Sequence, residues 1–123
     1  MNAEAELALV LEYDKRFEEA LEIRKEILER NKEKNGNTHS STVDAMHRLA
    51  MVYILQGKFD DAQYLYQSAL EINISTLGEE HTTTIESMVG LATTYDNCDQ
   101  LKEACEIGEK ALMLKRTVLD GDS

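Results

Sequence analysis

The chain has 123 residues, the size of one domain with one continuous core, and its lack of proline and six glycines favour long uninterrupted helices. With 13 basic against 24 acidic residues the formal charge is −11, a surface that repels a phosphate backbone and excludes nucleic acid as a partner. The apolar run LALVL, Leu7 to Leu11, is flanked by Glu4, Glu6 and Glu12 and reads as neither a signal peptide nor a membrane span.

In chain order, helical periodicity predicts elements near 3–13, 18–34, 41–56, 59–76, 83–97 and 101–119. The first pair carries Leu7, Ala8, Phe17, Ala20, Ile23 and Leu28 at helical spacing. The second pair repeats that pattern with Met46, Leu49, Ala50 and Tyr53, then Ala62, Leu65, Tyr66 and Ala69. The third returns it 42 residues on, Leu49 falling on Leu91, Tyr53 on Tyr95 and Ala62 on Ala104. Each copy is thus a hairpin of two amphipathic helices. A hairpin cannot bury both of its faces alone, so stacked copies predict an all-α fold, an α-solenoid of three antiparallel helix pairs. The three units run over about 1–38, 39–80 and 81–123 of a single domain.

The turns are uneven. Gly57 can adopt the left-handed conformation that ends a helix, but Lys15 and Asp99 stand at the same place in the other two copies and predict strained turns. Between copies, Gly36 and Gly78 are followed by Ser and Thr residues able to cap the next helix. His39 and His81 repeat in the same register. They are expected to bond a helix-end carbonyl at the seam rather than to share a metal, being a whole repeat apart.

Leu49, Ala50, Tyr53, Gly57, Phe59, Ala62, Tyr66 and Ala69 together resemble the tetratricopeptide repeat. The long unit, with LGEEH at its seam, is similar to the kinesin-light-chain type of that repeat, also found in fungal nucleotide-binding immune-type receptor arrays. Ser40 and Thr82 depart from it, standing where the family has proline. Arg24 and Gly108 depart too, replacing the aromatic at Tyr66, and Gly108 predicts a soft last hairpin. The resemblance implies a protein-binding or peptide-binding module that uses the concave face of the first helices, and it brings no catalytic residues.

On the first helices, the face opposite the hairpin core carries Asp44, His47, Arg48, Met51 and Leu55. Its equivalents are Asn2, Ala5, Glu6, Leu9 and Tyr13 in the first copy, and Glu86, Val89, Gly90, Thr93 and Asn97 in the third. Leu9, Tyr13, Met51, Leu55 and Val89 make this face apolar. Either it is a groove for a peptide, with Arg48 for a carboxylate and Asn97 for a peptide amide, or neighbouring first helices pack these side chains together.

Other chemistry is not expected. Glu18, Glu19, Glu22 and Glu26 read as a solvated face, with Glu26 paired to Arg30, and no phosphate loop, nucleophile elbow or HExxH occurs. The reading is therefore no enzyme, no cofactor and no metal. Cys98 and Cys105, seven apart, fit neither a metal motif nor a disulfide framework and point to reduced thiols in a cytoplasmic protein. The last helix shows Ala104, Ala111, Leu112 and Val118 with nothing following to cover them. A longer array is one expectation from that face; self-association through uncapped terminal repeats is the other. Two functions follow: a groove that holds a protein or peptide partner, or a scaffold segment of a larger receptor with an empty groove.

Overall fold

The computed structural model describes residues 3–13 and 15–121, the last two of these by backbone alone. Six helices follow in order: α1 (Ala3–Tyr13), α2 (Phe17–Asn35), α3 (Ser40–Leu55), α4 (Phe59–Leu77), α5 (Thr82–Asn97) and α6 (Leu101–Gly121). Each packs on the next, and no strand occurs among the described residues. The result is an all-α solenoid of three antiparallel helix pairs. The first helices α3 and α5 touch directly, whereas α4 and α6 show no comparable approach.

Within each pair the turn has one geometry. Lys15, Gly57 and Asp99 all take positive φ, at 62°, 77° and 63°. The next residue then donates back into the helix, Arg16 to Leu11, Lys58 to Tyr53 and Gln100 to Tyr95, each at 2.8 Å. This six-residue closure is the Schellman motif, which uses helix-end carbonyls that would otherwise be unpaired. Only the middle turn has the glycine that adopts it without steric penalty. Those hydrogen bonds impose the same shape on Lys15 and Asp99.

The seams between pairs differ from expectation in their capping residues. The side chains that cap α3 and α5 are His39 and His81, whose Nδ1 accepts the backbone N–H of Ser41 and Thr83 at 3.1 Å. Both histidines have extended backbones, which place the ring nitrogen beside the second amide of the helix. They bond the start of the following helix, not a carbonyl at the end of the preceding one. Ser40 and Thr82 are the first helical residues instead. Behind them, buried Thr42 donates to the Gly36 carbonyl at 2.7 Å and ties the seam to the previous helix. Its counterpart Thr84 is equally buried, and its hydroxyl has no partner among the described residues.

Alanines set how closely the helices approach. Ala8, Ala20, Ala50, Ala62 and Ala69 are fully buried, with Leu11, Leu21, Leu49, Leu65 and Tyr66 packed around the closest crossings. A second cluster of Ile85, Met88, Ala111 and Leu114 joins α5 to α6, and Leu70 and Ile107 pack against both clusters. Ala111 is therefore covered, contrary to the sequence reading, while Leu112 stays exposed. Leu49 and Leu91 are buried at 4% and 3% exposure, but their counterpart Leu7 is 50% exposed. No described helix precedes α1 in the place that α2 and α4 take beside α3 and α5.

Candidate functional site

The expected groove face lies on α1, α3 and α5, on the side away from the stripe that each helix uses in its own hairpin. Leu9, Tyr13, Met51, Leu55 and Val89 are all exposed on this face, Tyr13 at 93%. Apolar side chains of this size remain outside the core only where packing does not demand them. Asp44, Arg48, Glu86, Thr93 and Asn97 are exposed as well. Arg48 leans on Asp44 at 3.5 Å, one helical turn away. Thr93 donates to the Val89 carbonyl at 2.9 Å and Asn97 to that of Thr93 at 2.8 Å, so Asn97 commits an amide hydrogen to its own helix. Asn2, expected at the start of the same stripe, lies outside the described residues.

His47 does not lie open with the others. Its Nε2 is 2.6 Å from the Ser87 hydroxyl on α5, and its ring stacks obliquely on Tyr66 of α4 at 5.6 Å between centroids. Buried Asn73 donates to the same Ser87 oxygen at 2.9 Å. Ser87 can give its proton to His47 or to the Thr83 carbonyl at 3.3 Å, so the oxygen is satisfied with either form of the imidazole. Burial holds the His47 pKa below the ordinary histidine value, against the opposing pull of Glu86 and Asp44. Burial likewise pushes the Tyr66 phenol up to about 12. Gly90, expected in the groove lining, is the place where this ring rests: a Cβ there would lie 2.3 Å from Tyr66 Cε1.

One repeat earlier the same register holds different residues. Arg24 replaces Tyr66, Ala5 replaces His47, and Ala45 replaces Ser87. The space is left as an open pocket of about 360 Å³ whose lining includes Arg24, Ala5, Ala45, Leu9, Arg48 and Asp44. Arg24 is only 4% exposed, and its Nε donates to Glu12 at 2.9 Å. A cation so deep requires that carboxylate, since an unpaired buried charge is strongly destabilising.

Sequence reasoning noted Arg24 as a departure from the pattern but missed this pairing, and it missed the His47–Ser87–Asn73 network. The available signal was covariation within the repeat: where the aromatic on the second helix is lost, the histidine on the first is lost too. Elsewhere on the first hairpin, Arg30 forms its ion pair with Glu4 across α1 and α2, not with Glu26 one turn away. That contact holds the Glu4 carboxyl below its ordinary range.

This face offers exposed apolar side chains and a few charged groups. Among the described residues no three of His, Cys, Asp or Glu converge as metal ligands, and no helix is long and apolar enough to cross a membrane. Cys98 and Cys105 are both free thiols.

Known proteins give the same architecture. A crystal structure from Podosopora anserina, described as a kinesin light chain with nearly identical TPR-like repeats, superposes with a TM-score of 0.88 at 25% identity, as does a single-substitution variant of it. The match covers 98% of this chain and 57% of that one, so this chain spans little more than half of its length. BtubC (BKLC) from P. vanneervenii superposes with a TM-score of 0.84 at 22% identity, over 95% of this chain and 46% of that one. No curated protein sequence matches at a significant level. A family model described as tetratricopeptide repeat matches residues 1–75 and again 41–117, overlapping windows displaced by about one repeat. With its paired helices, its alanine crossings and these matches, the chain belongs to the tetratricopeptide repeat family, in a form similar to kinesin light chain repeats.

Proposed function

We propose that this chain is a protein-interaction module whose concave face takes an extended or helical peptide segment of a partner. The supporting observation is the exposed apolar stripe of Leu9, Tyr13, Met51, Leu55 and Val89 running across three successive first helices. Its charged neighbours Asp44, Arg48 and Glu86, with Thr93 and Asn97 beyond them, supply the polar contacts that fix register in such grooves. Tetratricopeptide proteins work in this way by holding other proteins, and the reading needs neither cofactor nor catalysis. The two free thiols suit a reducing, cytoplasmic setting.

The test is a peptide selected against the chain from a random library, with affinity measured for the parent and for Met51→Glu. A charge placed in the stripe should weaken binding by about tenfold or more. Equal affinities would remove the concave face from the interaction.

A second reading has its own observation. Leu112, Met113 and Leu119 are exposed on α6, and an apolar pocket of about 340 Å³ opens between α5 and α6 beside Val118 and Leu119. A further hairpin of a longer array, or a second copy, would cover this face, and the chain would then act as a scaffold segment. Sedimentation over a concentration series separates the two: self-association abolished by Leu119→Glu supports stacking, and a monomer at all concentrations argues against a second copy.

A further inference from the structure

We propose that the pocket between the first and second repeats is a specificity subsite for one acidic side chain of the bound peptide, read by Arg24 in its lining. This rests on the concave face being a peptide groove, and it names the chemistry recognised there.

The argument begins with two equivalent places in one molecule. At the later seam the space between α3 and α5 is filled: Tyr66 rises from α4, His47 stacks on it, and Ser87 closes the far side. At the earlier seam the three corresponding residues are Arg24, Ala5 and Ala45, and the space is a pocket of about 360 Å³. Two small side chains on the first helices open the cavity. An arginine lines it where the later seam has an aromatic ring.

The state of that guanidinium selects the ligand. Glu12 takes the Nε–H, and among the described residues no protein acceptor meets the two Nη groups. Those groups form the end-on fork that matches a carboxylate in two parallel hydrogen bonds. A carboxylate is acceptor-only and fits such a donor pair, whereas a side-chain amide must turn its NH₂ away and offers a single oxygen. At the rim, Arg48 is held only by the exposed Asp44 contact at 3.5 Å, which is weak enough to exchange for a ligand. Leu9 on the pocket wall receives the methylene stem.

The experiment titrates the intact chain with two blocked amino acids, N-acetyl-glutamic acid amide and N-acetyl-glutamine amide. Resonances of the Ala45 methyl and the Arg24 Nε–H report the pocket. The glutamic acid derivative is expected to shift both, with at least about tenfold tighter binding than the glutamine derivative. Arg24→Gln should abolish the preference, but that variant strips Glu12 of its partner and can unfold the first hairpin. The double variant Ala5→His with Ala45→Ser is therefore measured beside it. It fills the pocket as the later seam is filled and leaves the Arg24–Glu12 pair in place. Loss of the Arg24 Nε–H shift in the double variant, which no longer carries the Ala45 methyl, supports the subsite. Equal shifts from both probes, shifts that survive filling, or no shift at Ala45 from either probe overturn it. Failure here is separable from failure of the groove: library-selected peptides that still depend on Met51, with no acidic position in common, keep the groove and remove the subsite.

Discussion

Gly90 and Gly108 occupy opposite helices of the third pair, and their surroundings predict opposite outcomes. A Cβ at Gly90 would meet the buried Tyr66 ring at 2.3 Å, so Gly90→Ala must displace that ring from His47. A loss of about 1–3 kcal/mol is expected, read as a lower midpoint in chemical denaturation. At Gly108 the nearest atom is the Ala92 Cβ at 3.9 Å, an ordinary contact. Gly108→Ala therefore gains helix propensity without a clash and should stabilise by about 1 kcal/mol in the same measurement.

His47 gives the pH dependence at this scale. Its pKa is lower in the folded chain than unfolded, so the unfolded state binds the proton first as the solution is acidified. The stability it contributes is complete above the unfolded histidine value, near 6.5, and is lost as pH falls through the depressed folded value. Melting temperature should drop between about pH 7.5 and 5.5, and His47→Gln should flatten that drop. An unchanged slope in the variant would mean that other groups carry it.

The helices and their turns follow from local rules, and their ends were legible to within a residue or so. Alternation of small and large apolar residues at helical spacing located all six, and Lys15 and Asp99 at the glycine position marked the two strained turns. Relieving one of them is a direct check. Asp99→Gly should add about 0.5–1 kcal/mol, less than the full left-handed penalty because glycine also loosens the unfolded chain. The caps were misassigned because serine and threonine are the common capping residues, while here the extended histidines hold Nδ1 over the next helix. His81→Ala should accordingly cost about 1 kcal/mol. Its effect should be concentrated in hydrogen exchange at the start of α5.

Across the whole molecule, what was not legible lies between repeats. The Arg24–Glu12 pair, the His47–Ser87–Asn73 network and the pocket at the first seam arise from residues on separate helices. A reading of each helix by its own period assigns faces but not what meets across them. The exposed apolar stripe on the first helices could be drawn from periodicity, since it is the complement of the core face. Which of its members stay open, as Leu9, Met51 and Val89 do, and which turn inward, as His47 does, depends on the distance between neighbouring first helices.

The most direct test of the concave face is methyl nuclear magnetic resonance of the chain saturated with a library-selected peptide. Binding in the groove shifts Leu9, Met51, Leu55 and Val89 together and leaves Leu112 and Leu119 on α6 unmoved. Shifts confined to α6, or scattered over the outer faces of α2 and α4, would contradict it.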